Sequence, residues 1–188
     1  MSKKKIAIFA SGNGTNAQRI IEYFNQSDQA EVGIILTNNP AAYVIQRAGF
    51  FQIPVFVFDK EDFYTTGKVM NTLLEKEPDL IVLAGFLWLI PKEIIKCYPN
   101  RIVNIHPALL PGYGGKGMYG ANVHRAVIAA GEKESGITIH YVNEKYDEGS
   151  IIFQAKCTID TDETPDSLAV KIHQLEYNYF PVIIENLI

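Results

Sequence analysis

Apolar residues fall along this chain in two rhythms. Short runs recur at Lys5 to Ala10, Val32 to Thr37, Val55 to Phe58, Leu80 to Ala84 and Ile102 to Ile105, each of the length of a buried strand. Between them the spacing turns helical: after Thr15, the residues Ile20, Ile21 and Phe24 make one apolar face, and Phe63, Met70, Leu73 and Leu74 make another. Pro91 opens a short helix through Cys97, where its missing N–H costs nothing. This alternation predicts a parallel sheet with covering helices, which takes its ligands beyond the carboxyl ends of the strands.

The second half changes rhythm. Asn122 to Ala130 reads as a helix closed by Gly131, and Gly136 to Val142 and Ile151 to Ile159 alternate like antiparallel strands around the turn Asn143 to Gly149. A last helix from about Asp166 to Asn186 carries Leu168, Ile172, Leu175 and Tyr179 on one face, with Pro181 expected to kink or break it. No repeat, linker or low-complexity segment interrupts the 188 residues, so a single domain over residues 1–188 is expected.

Composition narrows the function classes. At 47% hydrophobic and 20% charged residues, the chain is an ordinary globular sequence, and disordered and fibrous classes drop out. A net charge of -4 supplies no large positive field, so neither nucleic acid nor membrane is an expected partner. The basic run Lys3-Lys4-Lys5 reads as a solvated end. The apolar segment after it is too short for a secretion signal, and no segment approaches the roughly 20 apolar residues that span a bilayer. A cytoplasmic monomer or homodimer acting on small molecules is the expectation. Cys97 and Cys157 match no metal-ligand spacing, and His106, His124, His140 and His173 show no H-E-x-x-H pattern, so no metal is expected.

Three stretches carry candidate chemistry. Asn104 and His106 share the two-residue period of one strand and should point to the same side, setting a proton carrier beside a neutral hydrogen-bond donor, as acyl transfer requires. His106 alone would read as a structural histidine. The first strand runs into Ala10-Ser11-Gly12-Asn13-Gly14-Thr15-Asn16, a tight turn before a helix N-terminus, suited to a phosphate. It is neither a Walker A loop nor a GxGxxG fingerprint, and simple capping by Thr15 or Asn16 is the alternative. After the fourth strand, Gly85 permits close backbone approach, and Leu87, Trp88, Leu89 and Ile90 offer a wall for a flat, partly hydrophobic ligand or simply more core. The turn Asn143 to Gly149 reads either as a solvated acidic loop or as the source of a carboxylate that would raise the pKa of His106.

Ser-Gly-Asn-Gly-Thr-Asn (11 to 16), Leu-Ala-Gly-Phe (83 to 86), Asn-Ile-His-Pro-Ala-Leu-Leu-Pro (104 to 111) and Asp-Glu-Gly-Ser-Ile-Ile-Phe-Gln-Ala (147 to 155) together resemble the phosphoribosylglycinamide formyltransferases of the folate-dependent formyltransferase superfamily. The likeness runs in order over essentially the whole chain. It implies transfer of the formyl group of 10-formyltetrahydrofolate, as co-substrate and without a metal, to the amine of 5-phosphoribosylglycinamide in purine synthesis. It further implies that His106 is general acid/base, that Asn104 holds the formyl oxygen, and that Asp147 keeps His106 protonated and orders a water. The same resemblance puts the acceptor's phosphate on Gly12, Asn13, Gly14, Thr15 and Asn16, and its ribose against Gly85 and Pro107. Glu176 then lies near its amine, and Lys116 of the glycine-rich segment Tyr113 to Gly120 reaches its phosphate or stays solvated. The folate would lie along Leu87, Trp88, Leu89, Ile90 and Asn104 and the backbone from Val142 through Asn143 and Glu144 to Asp147. Trp88 is a departure, since many members carry arginine there.

The expected fold class is α/β: a Rossmann-like parallel sheet in the N-terminal half, extended by antiparallel strands in the C-terminal half, with helices on both faces. Two rivals within the superfamily, a methionyl-tRNA formyltransferase and a formyltetrahydrofolate deformylase, each need a further domain. A non-catalytic module sensing a phosphorylated metabolite is the competing class, and it leaves Asn104, His106 and Asp147 without a task.

Overall fold

The computed structural model describes residues 2–188. Its seven strands form one sheet in the order β3-β2-β1-β4-β5-β6-β7. β1 (Lys4–Phe9) lies between β2 (Ala30–Thr37) and β4 (Leu80–Leu83), β3 (Val55–Val57) flanks β2, and β5 (Ile102–His106) flanks β4, all parallel. β6 (Glu134–Tyr141) and β7 (Ile151–Thr158) add antiparallel to that edge. The parallel strands read as continuous apolar runs because both of their faces are covered. Along β1, Ile6 and Ile8 pack into one core, while Ala7 and Phe9 pack into another on the opposite face. The first core is closed by helices α1 (Thr15–Phe24), α2 (Val44–Phe50), α6 (Ala121–Ala129) and α7 (Pro165–Glu185). The second is closed by α3 (Lys60–Tyr64), α4 (Lys68–Lys76) and α5 (Lys92–Cys97).

Side-chain caps start two of the helices. The Asp59 carboxylate accepts from the Asp62 N–H at 2.8 Å to start α3. Thr164 and Ser167 form a reciprocal capping box ahead of Pro165 at the start of α7. α1 has no side-chain cap: its N-cap residue is Gly14, and neither Thr15 nor Asn16 plays that part.

The pattern misplaced three features. The apolar face from Phe63 to Leu74 is not one helix, because α3 and α4 are separated at Thr65 to Gly67, and Leu74 is 50% exposed. α2 had no counterpart in the sequence reading. α7 runs unbroken through Pro181, whose ring is buried, and Tyr179 is exposed. Its buried stripe is Leu168, Ile172, Glu176, Phe180 and Ile184, a strict four-residue repeat. Among the described residues, no helix is long and apolar enough to cross a membrane.

Candidate active site

A cavity of about 730 Å3 opens at the carboxyl ends of β1, β4 and β5, where ligands of open parallel sheets bind. Its lining includes Gly12 to Asn16, Gly85, Leu87 to Ile90, Asn104, His106, Pro107, Lys116, Val142, Asp147 and Glu176, gathered from every part of the chain. Asn143 and Glu144 are not brought into it. The Asn143 carboxamide folds back to accept from the Lys145 N–H at 2.9 Å, and Glu144 is exposed, so the turn after β6 reaches the cavity only at Lys145, Tyr146 and Asp147.

One end of the cavity is built from backbone. Between β1 and α1 the carbonyls of Ser11 to Gly14 are each held by a donor. That of Ser11 accepts from Asn39 at 3.4 Å, Gly12 from the Val44 N–H at 3.2 Å, Asn13 from Arg47 at 2.7 Å, and Gly14 from the Gln18 N–H at 2.9 Å. The N–H groups of Gly12 to Asn16 meet no protein acceptor among the described residues. A run of free amides at a helix N-terminus is a cradle for an anion. Arg47 grips the loop twice, with a second bond of 2.8 Å to the Asn13 side-chain oxygen, and also bonds Gln18. Gly14 is in the left-handed region, and a Cβ there would lie 2.4 Å from the Val44 methyl. α2 is therefore the floor under this loop. Beside it, Asn16 donates to Glu176 at 2.9 Å, and burial of that carboxyl, only 5% exposed, pushes its pKa up to about 7.

The other end is built from side chains. Asn104 and His106 project from β5 into the cavity as their shared period requires, and Asp147 comes from the turn between β6 and β7. The Asp147 carboxylate lies 3.5 Å from Nδ1 of His106 and 3.4 Å from Nδ2 of Asn104, and it accepts from the Gly115 N–H at 2.9 Å. Nε2 of His106 donates to the Tyr113 carbonyl at 2.7 Å. Burial resists ionisation of Asp147, but the His140 ring 3.6 Å away, the facing His106 and the Gly115 amide outweigh it and hold the carboxyl below its usual range. For His106 the balance falls the other way: burial outweighs the pull of Asp147, and its pKa is lowered. The expected rise does not occur, because a carboxylate at 3.5 Å does not offset the loss of hydration around an imidazole that is 3% exposed.

On the cavity wall, Trp88 packs against Phe58, Phe63, Tyr64 and Phe86, with the Lys60 ammonium 5.8 Å above its ring. The Tyr64 hydroxyl fixes the Leu89 carbonyl at 2.9 Å. Lys116 lines the cavity and is exposed. Three histidines not chosen from the sequence also line the cavity: His124, His140 and His173. Burial lowers the pKa of His124 to about 4, and its Nδ1 has no partner among the described residues. His140 lies directly across the β5–β6 ladder from Asn104, with Nε2 3.1 Å from the amide nitrogen. Strand pairing was the missing signal, since a histidine in β6 joins the site only once its cross-strand partner is known.

Known proteins share this sequence and fold over nearly its whole length. A family model described as formyl transferase matches residues 4–184. The chloroplastic phosphoribosylglycinamide formyltransferase of Arabidopsis thaliana is 38% identical over 97% of this chain, which spans only 64% of the plant protein; a second plant relative, from Vigna unguiculata, is spanned to 61%. The phosphoribosylglycinamide formyltransferase of Bacillus subtilis is 36% identical over 98% of this chain and 95% of its own. Among solved structures, the phosphoribosylglycinamide formyltransferase from Bacillus halodurans superposes with a TM-score of 0.88 at 37% identity, covering 98% of this chain and 95% of that one. Glycinamide ribonucleotide transformylase 1 from Geobacillus kaustophilus superposes at 0.89 with 35% identity, covering 98% of both chains. With nearly all of its length matched, this chain belongs to the formyl transferase family.

Proposed function

We propose that this chain is a phosphoribosylglycinamide formyltransferase, moving the formyl group of 10-formyltetrahydrofolate to the amine of 5-phosphoribosylglycinamide, with residues 1–188 acting as one cytoplasmic domain. The observation that carries this reading is one cavity with an anion cradle at Gly12 to Asn16 and the Asn104, His106 and Asp147 cluster at its other end. The acceptor's phosphate takes the free amides of the loop, its ribose passes Gly85 and Pro107, and its amine points past Glu176 toward His106. The folate lies along Leu87 to Ile90 and Val142, with Trp88, backed by Tyr64, offering an aromatic face for its benzoyl group.

The chemistry balances with these groups alone. The amine lone pair forms the new bond to the formyl carbon, and the carbonyl electrons move to oxygen, where an Asn104 N–H stabilises the charge. The amine proton passes to Nδ1 of His106, and the facing Asp147 carboxylate stabilises the resulting imidazolium. As the carbonyl re-forms, the bond to the folate nitrogen breaks and His106 returns the proton to that nitrogen.

A direct assay tests the reading. Tetrahydrofolate release should require both phosphoribosylglycinamide and 10-formyltetrahydrofolate. Release without the amine would instead indicate hydrolysis of the donor, and no release would indicate a binding module. The pH profile follows from the lowered pKa of His106. Its neutral form is the working base, so in a Glu176→Gln variant, which removes the carboxyl that titrates at about 7, kcat/KM should stay level through neutral pH and fall only as pH drops to a value below 6.5, about tenfold per further unit. A fall in activity of that variant as pH rises through 7 to 8 would contradict a neutral His106.

A further inference from the structure

We infer that His140 is a positioning residue that fixes which end of the Asn104 carboxamide faces the reacting carbonyl; this rests on the formyl-transfer reading. His140 is 2% exposed on β6. Its Nδ1 lies 2.8 Å from the Tyr141 carbonyl oxygen, which only accepts, so Nδ1 carries the hydrogen and Nε2 presents a lone pair. That lone pair meets the Asn104 amide 3.1 Å away, and the Asp147 carboxylate meets the same amide nitrogen at 3.4 Å. Two acceptors converge on one end of the carboxamide. Turned around, the amide would set its own oxygen against both.

One amide hydrogen is therefore spent on His140. The second lies over the long contact to Asp147, and it is the one an oxyanion can take. The arrangement is built in from behind as well. A Cβ on Gly149 would come within 1.6 Å of the Tyr141 oxygen, so only glycine leaves that carbonyl where it sets the tautomer of His140. Acting through the Asn104 amide, this histidine thus decides whether Asn104 offers a donor or an acceptor.

The test is a double-mutant cycle in the full chain. His140→Phe should lower kcat by about 30-fold with both KM values within about twofold, because orientation of one transition-state donor is lost and ground-state contacts are kept. His140→Gln, which can still accept from the amide, should recover most of that rate. In an Asn104→Ala background, His140→Phe should cost less than about twofold. The same loss in both backgrounds, or an unchanged kcat in His140→Phe, would overturn the proposal. Should the Phe variant not fold, nitrogen-15 NMR of the unaltered protein at pH 8 decides: the proton of His140 belongs on Nδ1, and its presence on Nε2 overturns the assignment. Absence of any transfer by the unaltered protein would refute the formyl-transfer reading and leave the NMR result to judge His140.

Discussion

On the proposed function, the two ends of the cavity solve opposite problems with opposite materials. The cradle at Gly12 to Asn16 uses peptide N–H groups, whose direction is set by where their carbonyls are held. The cluster at Asn104, His106 and Asp147 uses side chains, whose direction is set by neighbours on β6 and in the loop after β5. A fixed dianion can be met by amides that never change state. A proton in transit needs groups that do. The cradle should therefore be indifferent to most of its own side chains and sensitive to what lies beneath it, while the cluster should be sensitive at each member.

Substitutions test that contrast in order of expected effect. Asp147→Asn should lower kcat by about a thousandfold with the KM for the phosphorylated acceptor within about threefold; a comparable rise in that KM in a folded variant would erase the division between the ends. Gly14→Ala attacks the cradle from inside. With φ at 74° and its Cβ 2.4 Å from Val44, it should raise the acceptor KM at least tenfold and lower Tm by roughly 5 °C, as steady-state kinetics and calorimetry would read. Arg47→Ala attacks from below and should raise the same KM about fivefold with kcat unchanged. Arg47→Lys should restore less than half of that loss, since an ammonium cannot reach the Asn13 carbonyl and side chain together in one fork. Thr15→Ala should change the acceptor KM by less than about twofold, because the residue contributes its amide and caps nothing. A large effect there would mean that the hydroxyl, not the backbone, holds the anion.

The strands were legible because sheet burial on both faces writes continuous Val, Ile and Leu runs, and Asn104 and His106 stood out as exceptions within such a run. α2 left almost no trace, since it buries only Val44 and Ala48 and has no side-chain cap. The face of α7 was read through Tyr179 because Glu176 disguises the true stripe: a buried carboxyl looks like a solvent position until Asn16 is seen against it. Arg47 and His140 act through partners 34 and 36 residues away, distances over which composition and periodicity carry no signal. The direction of the His106 shift was likewise unreadable, because it depends on how much water burial removes, which sequence does not state.

The bond from Asn16 to Glu176 joins positions 160 apart in the chain. The cavity therefore stays incomplete until α7 has docked against α1, and contacts of such long reach are the slow ones to form. Catalytic competence should arrive last and all at once, making turnover a sensitive reporter of complete folding.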